Sequence, residues 1–91
     1  MGEEKEKHRT TVTIYGQQYT IKSYESPQHV INVAEHLDQK MREYKKDNPY
    51  LDTTRLAVLT ALNAVDEYLK IKDKLALYEK EQQETTDKEE Q

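Results

Sequence analysis

The sequence predicts an α+β fold: an N-terminal β-hairpin, a shorter amphipathic helix and a long C-terminal helix, assembling as a homodimer. Three observations carry this. Residues 10–24 alternate apolar and polar around Gly16, as a hairpin with one buried face does. Ser26-Pro27 opens a second segment whose apolar residues recur at helical spacing. A third segment, from Thr53, carries an apolar face that changes width partway along.

The hairpin reads as TTVTIYGQQYTIKSY. With Gly16-Gln17 as a two-residue turn, glycine first, Tyr15 pairs with Gln18, Ile14 with Tyr19 and Val12 with Ile21. That register gathers the apolar side chains on one face, which a one-residue slip would scatter. Such a ribbon is not stable alone, and helix 1, residues 26–47, is its expected cover. Ser26 suits the N-cap and Pro27 the first helical position. Val30, Val33, Ala34, Leu37, Met41 and Tyr44 form its apolar stripe. Pro49 ends the helix by restricting Asn48, and Asp52 or Thr53 caps the next.

Helix 2 is expected over residues 53–82, roughly 45 Å at the α-helical rise. Val58, Leu62, Val65 and Leu69 form one apolar stripe, and Ala57, Ala61, Ala64 and Tyr68 form another beside it. Beyond Leu69 the second alone continues, through Ile71, Leu75 and Tyr78. A broad stripe suits a core and a narrow one a partner helix. Val58, Leu62, Val65 and Leu69, extended by Ile71 and Leu75, are therefore the expected dimer seam. Residues 1–9 read as a disordered arm, 10–78 as a single domain and 83–91 as a disordered acidic tail.

Composition points the same way. Only 34% of the 91 residues are hydrophobic, with no Phe and no Trp, while 35% are charged. A core this small is marginal for a monomer, and with no Cys to form disulfides, oligomerisation is the natural remedy. Residues 10–78 hold nine acids and nine bases, so the net charge of −4 comes from residues 79–91. A neutral body gives no support for nucleic-acid binding. No apolar run reaches the ~20 residues of a membrane span, and MGEEKEKHR lacks the apolar segment of a signal peptide. A cytoplasmic protein is expected.

Catalysis has little to build on. There is no Cys, the glycines are Gly2 and Gly16, and the hydroxyls fall in strands, caps and tail. His29 and His36 lie about 10 Å apart on helix 1, too far to share a metal ion. No cofactor is expected. The run Lys40, Arg42, Lys45, Lys46 either complements the end of helix 1 or meets an acidic partner. Tyr15, beside the glycine turn, is expected on the exposed ribbon face and reads as a contact residue. A dimeric coiled-coil adaptor for some intracellular partner fits all of this.

The order VTIYG, a hairpin return, an amphipathic helix and then TTRLAVLTALNAVDEYLK resembles the ZapA family of bacterial cell-division proteins, over roughly residues 10–78. The resemblance implies binding to FtsZ, the tubulin-like GTPase of the division ring, and cross-linking or bundling of its filaments at mid-cell, without catalysis. It implies a dimer of hairpin and two helices, and in longer members a tetramer through the C-terminal coiled coil. Here the apolar stripe gives about two heptads beyond the core, where coiled coils usually need three or four, so a dimer is expected. Some relatives carry arginine after the hairpin glycine and between the helices. This chain has Gln17 and Asn48-Pro49 there, which shifts charge contacts to neighbours such as Lys45, Lys46 or Arg55, and Tyr15, Gln17 and Arg42 complete the expected partner contacts.

Overall fold

The structure, a computed structural model, describes residues 6–90, with side chains through residue 83. The elements run β1 (His8–Ile14), β2 (Gln17–Ser23), α1 (Pro27–Asp47) and α2 (Thr53–Glu90), the expected order of hairpin, short helix and long helix. The chain divides into two compact units, Met1–Thr60 and Ala61–Gln91, so α2 begins in the first and continues into the second.

The hairpin differs from the expected register in an instructive way. Its turn is Tyr15-Gly16, closed by Ile14 opposite Gln17, and Val12 faces Tyr19 while Thr10 faces Ile21. Tyr15 and Gly16 both have positive φ, 49° and 82°, which is the requirement of a type I′ turn rather than one with glycine first. Every partner on β2 is displaced by two positions from the expected pairing. Because side chains alternate with period two, this leaves the strand residues paired in both registers on their expected faces, while Tyr15 moves into the turn and Gln17 into the strand. Thr10, Val12, Ile14, Gln17, Tyr19 and Ile21 share one face, and α1 packs against β1.

Helix α1 starts where the backbone and Ser26 permit. The Ser26 hydroxyl accepts from His29 N–H at 3.2 Å, and Pro27 needs no donor partner at the first helical position. At the other end Asn48 N–H returns to the carbonyls of Tyr44 and Lys45, and its side-chain amide also donates to Tyr44 O. Asp52 caps α2, its carboxylate accepting from Arg55 N–H at 2.8 Å. Past Tyr78 the chain is mostly Glu, Gln and Lys, good helix formers that extend an existing helix at little cost. The segment expected as a disordered tail from residue 83 therefore continues α2 to Glu90, and residue 91 lies outside the described range. At the N-terminus β1 takes in His8 and Arg9 of the expected arm, while residues 1–5 lie outside the description.

The first unit has a thin core. Among the described residues, the buried apolar side chains are Val12, Ala34, Met41 and Leu56, and Leu56 is wholly enclosed. Thr60 is also buried, with its hydroxyl satisfied by the Leu56 carbonyl one turn back. Val30, Leu37 and Tyr44 are half-buried, but Val33 is exposed. The expected core contribution of the first half of helix 2 narrows to Leu56 and Thr60, since Val58, Ala57 and Ala61 are exposed in the single chain. Replacing Leu56 with Ala should destabilise the fold by about 2–5 kcal/mol. Urea denaturation at fixed protein concentration measures this, and a loss below about 1 kcal/mol would show that Leu56 is not the keystone its burial implies.

Candidate functional site

Two surfaces stand out, one in each unit. The first is built around the hairpin turn. Tyr15 N–H donates to Asp38 Oδ1 of α1 at 2.6 Å, and Arg42 Nε donates to Asp38 Oδ2 at 2.9 Å. The Arg42 guanidinium stands over the Tyr15 ring, 5.4 Å from its centroid, in a cation–π arrangement. One carboxylate thus ties the turn to the helix and aims a cation at an aromatic ring. A non-glycine residue in the left-handed region costs about 1–2 kcal/mol, so the turn relies on such external support.

The charges respond accordingly. The Arg42 hydrogen bond, then that from Tyr15 N–H, holds the Asp38 carboxyl below the ordinary aspartate range, against a smaller opposing effect of desolvation. Arg42 is in turn held more firmly protonated by Asp38. Because the folded value lies below the unfolded one, the clamp contributes fully above the ordinary aspartate range and is lost as the pH falls through the folded value. The melting-temperature difference between wild type and Asp38→Asn should therefore be constant from about pH 6 to 8 and shrink below about pH 4. A difference that widens on acidification would contradict this assignment.

The other basic and polar candidates are distributed unevenly. Lys45 Nζ donates to the Leu51 carbonyl at 2.7 Å and so braces the connector between the helices. Lys46 and Arg55 are exposed, and their charged groups have no side-chain hydrogen bond or ion pair among the described residues. Gln17 does not lie on the outer ribbon face with Thr11 and Thr13. It shares the face of Ile14 and Tyr19, and its Oε1 accepts from Tyr19 O–H at 3.1 Å. Tyr15 is likewise not on the open outer face, because it sits half-buried in the turn beneath Arg42. Asp38 leaves no local pattern in the sequence, because its Tyr15 contact spans 23 residues. Tyr50, 99% exposed in the connector, is a further candidate that spacing on a helix could not reveal.

The first unit also leaves apolar surface open. A groove between hairpin and helix is lined by Val12, Ile14, Ile21, Val30, Val33 and Leu37. Val58, on the first turns of α2, is 63% exposed. In the second unit the expected seam residues Leu62, Val65, Leu69, Ile71 and Leu75 are each about half exposed or more, Leu62 to 66%. Tyr68 and Tyr78 are open as well. Asp66 and Lys70 form an ion pair at 2.9 Å, which raises the Lys70 pKa. These open apolar side chains fall in the two stripes read from the sequence, and exposed apolar surface on this scale is a usual sign of an interaction face.

Nothing among the described residues groups three His, Asp or Glu side chains as a metal site, and no helix there is long and apolar enough to cross a membrane. A hairpin and two helices with uncovered apolar side chains and a hydrogen-bonded polar tip are the parts of a small protein-association module. The family model described as cell division protein ZapA matches residues 10–91. The chain belongs to this family. It is 54% identical over 78 residues to the cell division protein ZapA of Halalkalibacterium halodurans, covering 86% of each chain. It is 61% identical over 66 residues to that of Shouchella clausii, covering 72% of this chain and 85% of the relative. A solved structure, a ZapA mutant dimer from Geobacillus stearothermophilus, superposes with a TM-score of 0.73 at 43% identity, covering 89% of this chain and 94% of that one.

Proposed function

We propose that this cell-division protein works as a homodimer in the cytoplasm, binds FtsZ filaments at mid-cell and cross-links or aligns them, with no catalysis of its own. The observation that carries the dimer is the run of open apolar side chains Leu62, Val65, Leu69, Ile71 and Leu75 in the single chain. Val58 extends the same seam. The relative solved as a dimer supports the reading. Membership of a family of cell division proteins supports a partner in the division machinery, and FtsZ filaments are the partner proposed. A two-fold dimer carries two identical binding sites, so it can tether two filaments through individually weak contacts that gain from effective concentration.

The proposed filament contacts are Tyr15, Gln17, Arg42, Lys45, Lys46 and Arg55, with the charge attraction resting chiefly on Lys46 and Arg55. Those two cations are open, whereas Arg42 is committed to Asp38 and Lys45 to the connector. The seam stays dimeric because the apolar residues of α2 end at Tyr78, although the helix itself runs on to Glu90.

Leu62→Glu should abolish the dimer, reading as a monomer or an unfolded chain in sedimentation and circular dichroism. A stable, fully dimeric variant would remove Leu62 from the seam. Charge reversal at Lys46 and Arg55 together should weaken co-sedimentation with polymerised FtsZ, with a loss that shrinks at high salt, and leave the dimer intact. Unchanged co-sedimentation would move the contact elsewhere, and absence of wild-type co-sedimentation would overturn the filament reading.

A further inference from the structure

Two registers of the hairpin would bury the same face, and the structure holds one of them. In one, Tyr15-Gly16 turns and Val12 faces Tyr19. In the other, Gly16-Gln17 turns with glycine first, and Val12 faces Ile21. The two differ by two positions on β2, so the apolar pattern of the strands does not choose between them. Local preference favours the second, because it needs positive φ at glycine alone, whereas the first puts tyrosine in the left-handed region too. Asparagine before the glycine would suit the first register, but the chain has tyrosine there.

We infer that Asp38 is a positioning residue that selects the hairpin register and thereby presents Tyr15 to the partner. The inference rests on the reading that the hairpin tip meets FtsZ filaments. Only the observed register turns Tyr15 N–H toward Asp38 Oδ1 while Oδ2 keeps Arg42. The carboxylate offsets the poor fit of tyrosine to its turn with a charge-assisted hydrogen bond. Arg42, held by the same group, lies over the ring and leaves it half-open to a partner. In the other register Tyr15 becomes a strand residue on the outer face with Thr11 and Thr13, away from that arrangement.

The test compares full-length wild type, Asp38→Ala, Asp38→Glu and the double variant Tyr15→Asn with Asp38→Ala. Cross-strand nuclear Overhauser contacts report the register, and co-sedimentation with polymerised FtsZ reports binding. Wild type should show Val12 against Tyr19. Asp38→Ala should gain Val12 against Ile21 and move the Tyr15 amide proton upfield as its carboxylate acceptor is lost. If its competent register falls to about one fifth, the apparent Kd for filaments rises about fivefold. Asp38→Glu, which keeps a carboxylate, should retain part of both signals. The double variant should recover the Val12–Tyr19 register, since Asn-Gly suits the turn, yet still bind weakly for want of the ring.

An Asp38→Ala protein that keeps the Val12–Tyr19 register alone overturns the proposal. So does a shifted register with unchanged filament affinity, which would leave Asp38 a purely structural clamp. Should Asp38→Ala fail to fold, Asp38→Asn, which retains an acceptor for the amide but loses the charge, is judged by the same contacts. Wild type that does not bind filaments defeats the recognition role through the functional reading itself, while the cross-strand contacts still decide whether Asp38 sets the register.

Discussion

A chain with so little apolar material must spend it carefully, and the shortage shapes every part of the structure. Within the described residues of one chain, Val12, Ala34, Met41 and Leu56 are buried, while most of the large side chains of α2 stay open. Burial of apolar surface is the main force that holds a fold together. A single copy therefore leaves much of its available stabilisation unused. Covering the α2 face with a second copy would recover it, so folding and association become linked, as in small obligate dimers. The open groove beside Val33 and Leu37 is a smaller sign of the same deficit.

Against that thin core, the polar connections matter more than their number suggests. Caps at Ser26, Asn48 and Asp52 settle where the helices start and stop. Lys45 holds the connector through the Leu51 carbonyl, and Asp38 holds the turn. Each of these fastens a backbone segment to a helix with little apolar burial. The consequence for function is that residues resembling one basic patch in the sequence divide into two roles. Arg42 and Lys45 bind groups of the fold itself, whereas Lys46 is exposed.

Much of this was legible in the residues. The hairpin, the Ser26-Pro27 start of α1, the stop before Pro49 and the amphipathic stripe of helix 2 all express short-range rules of spacing and capping. The face of the strand residues from Thr10 to Ile14 and from Tyr19 to Ile21 was legible too, because period-two alternation survives a two-residue displacement. The register itself was not. It depends on a left-handed tyrosine whose support comes from Asp38, 23 residues away. The reach of α2 to Glu90 was not legible for a different reason, since absence of apolar residues argues against packing but not against helix.

The sequence alone determined the order of elements, the division of each into apolar and polar faces, and the excess of apolar helix over what one small domain can bury. Those follow from composition and from periods of 2 and 3.6 residues, which are local properties of the chain. The tertiary structure alone decided which turn closes the hairpin, which cations are already engaged, and that Tyr15 sits under Arg42 rather than on an open strand face. These depend on groups distant in sequence meeting at hydrogen-bond distance, and no local pattern encodes such a meeting.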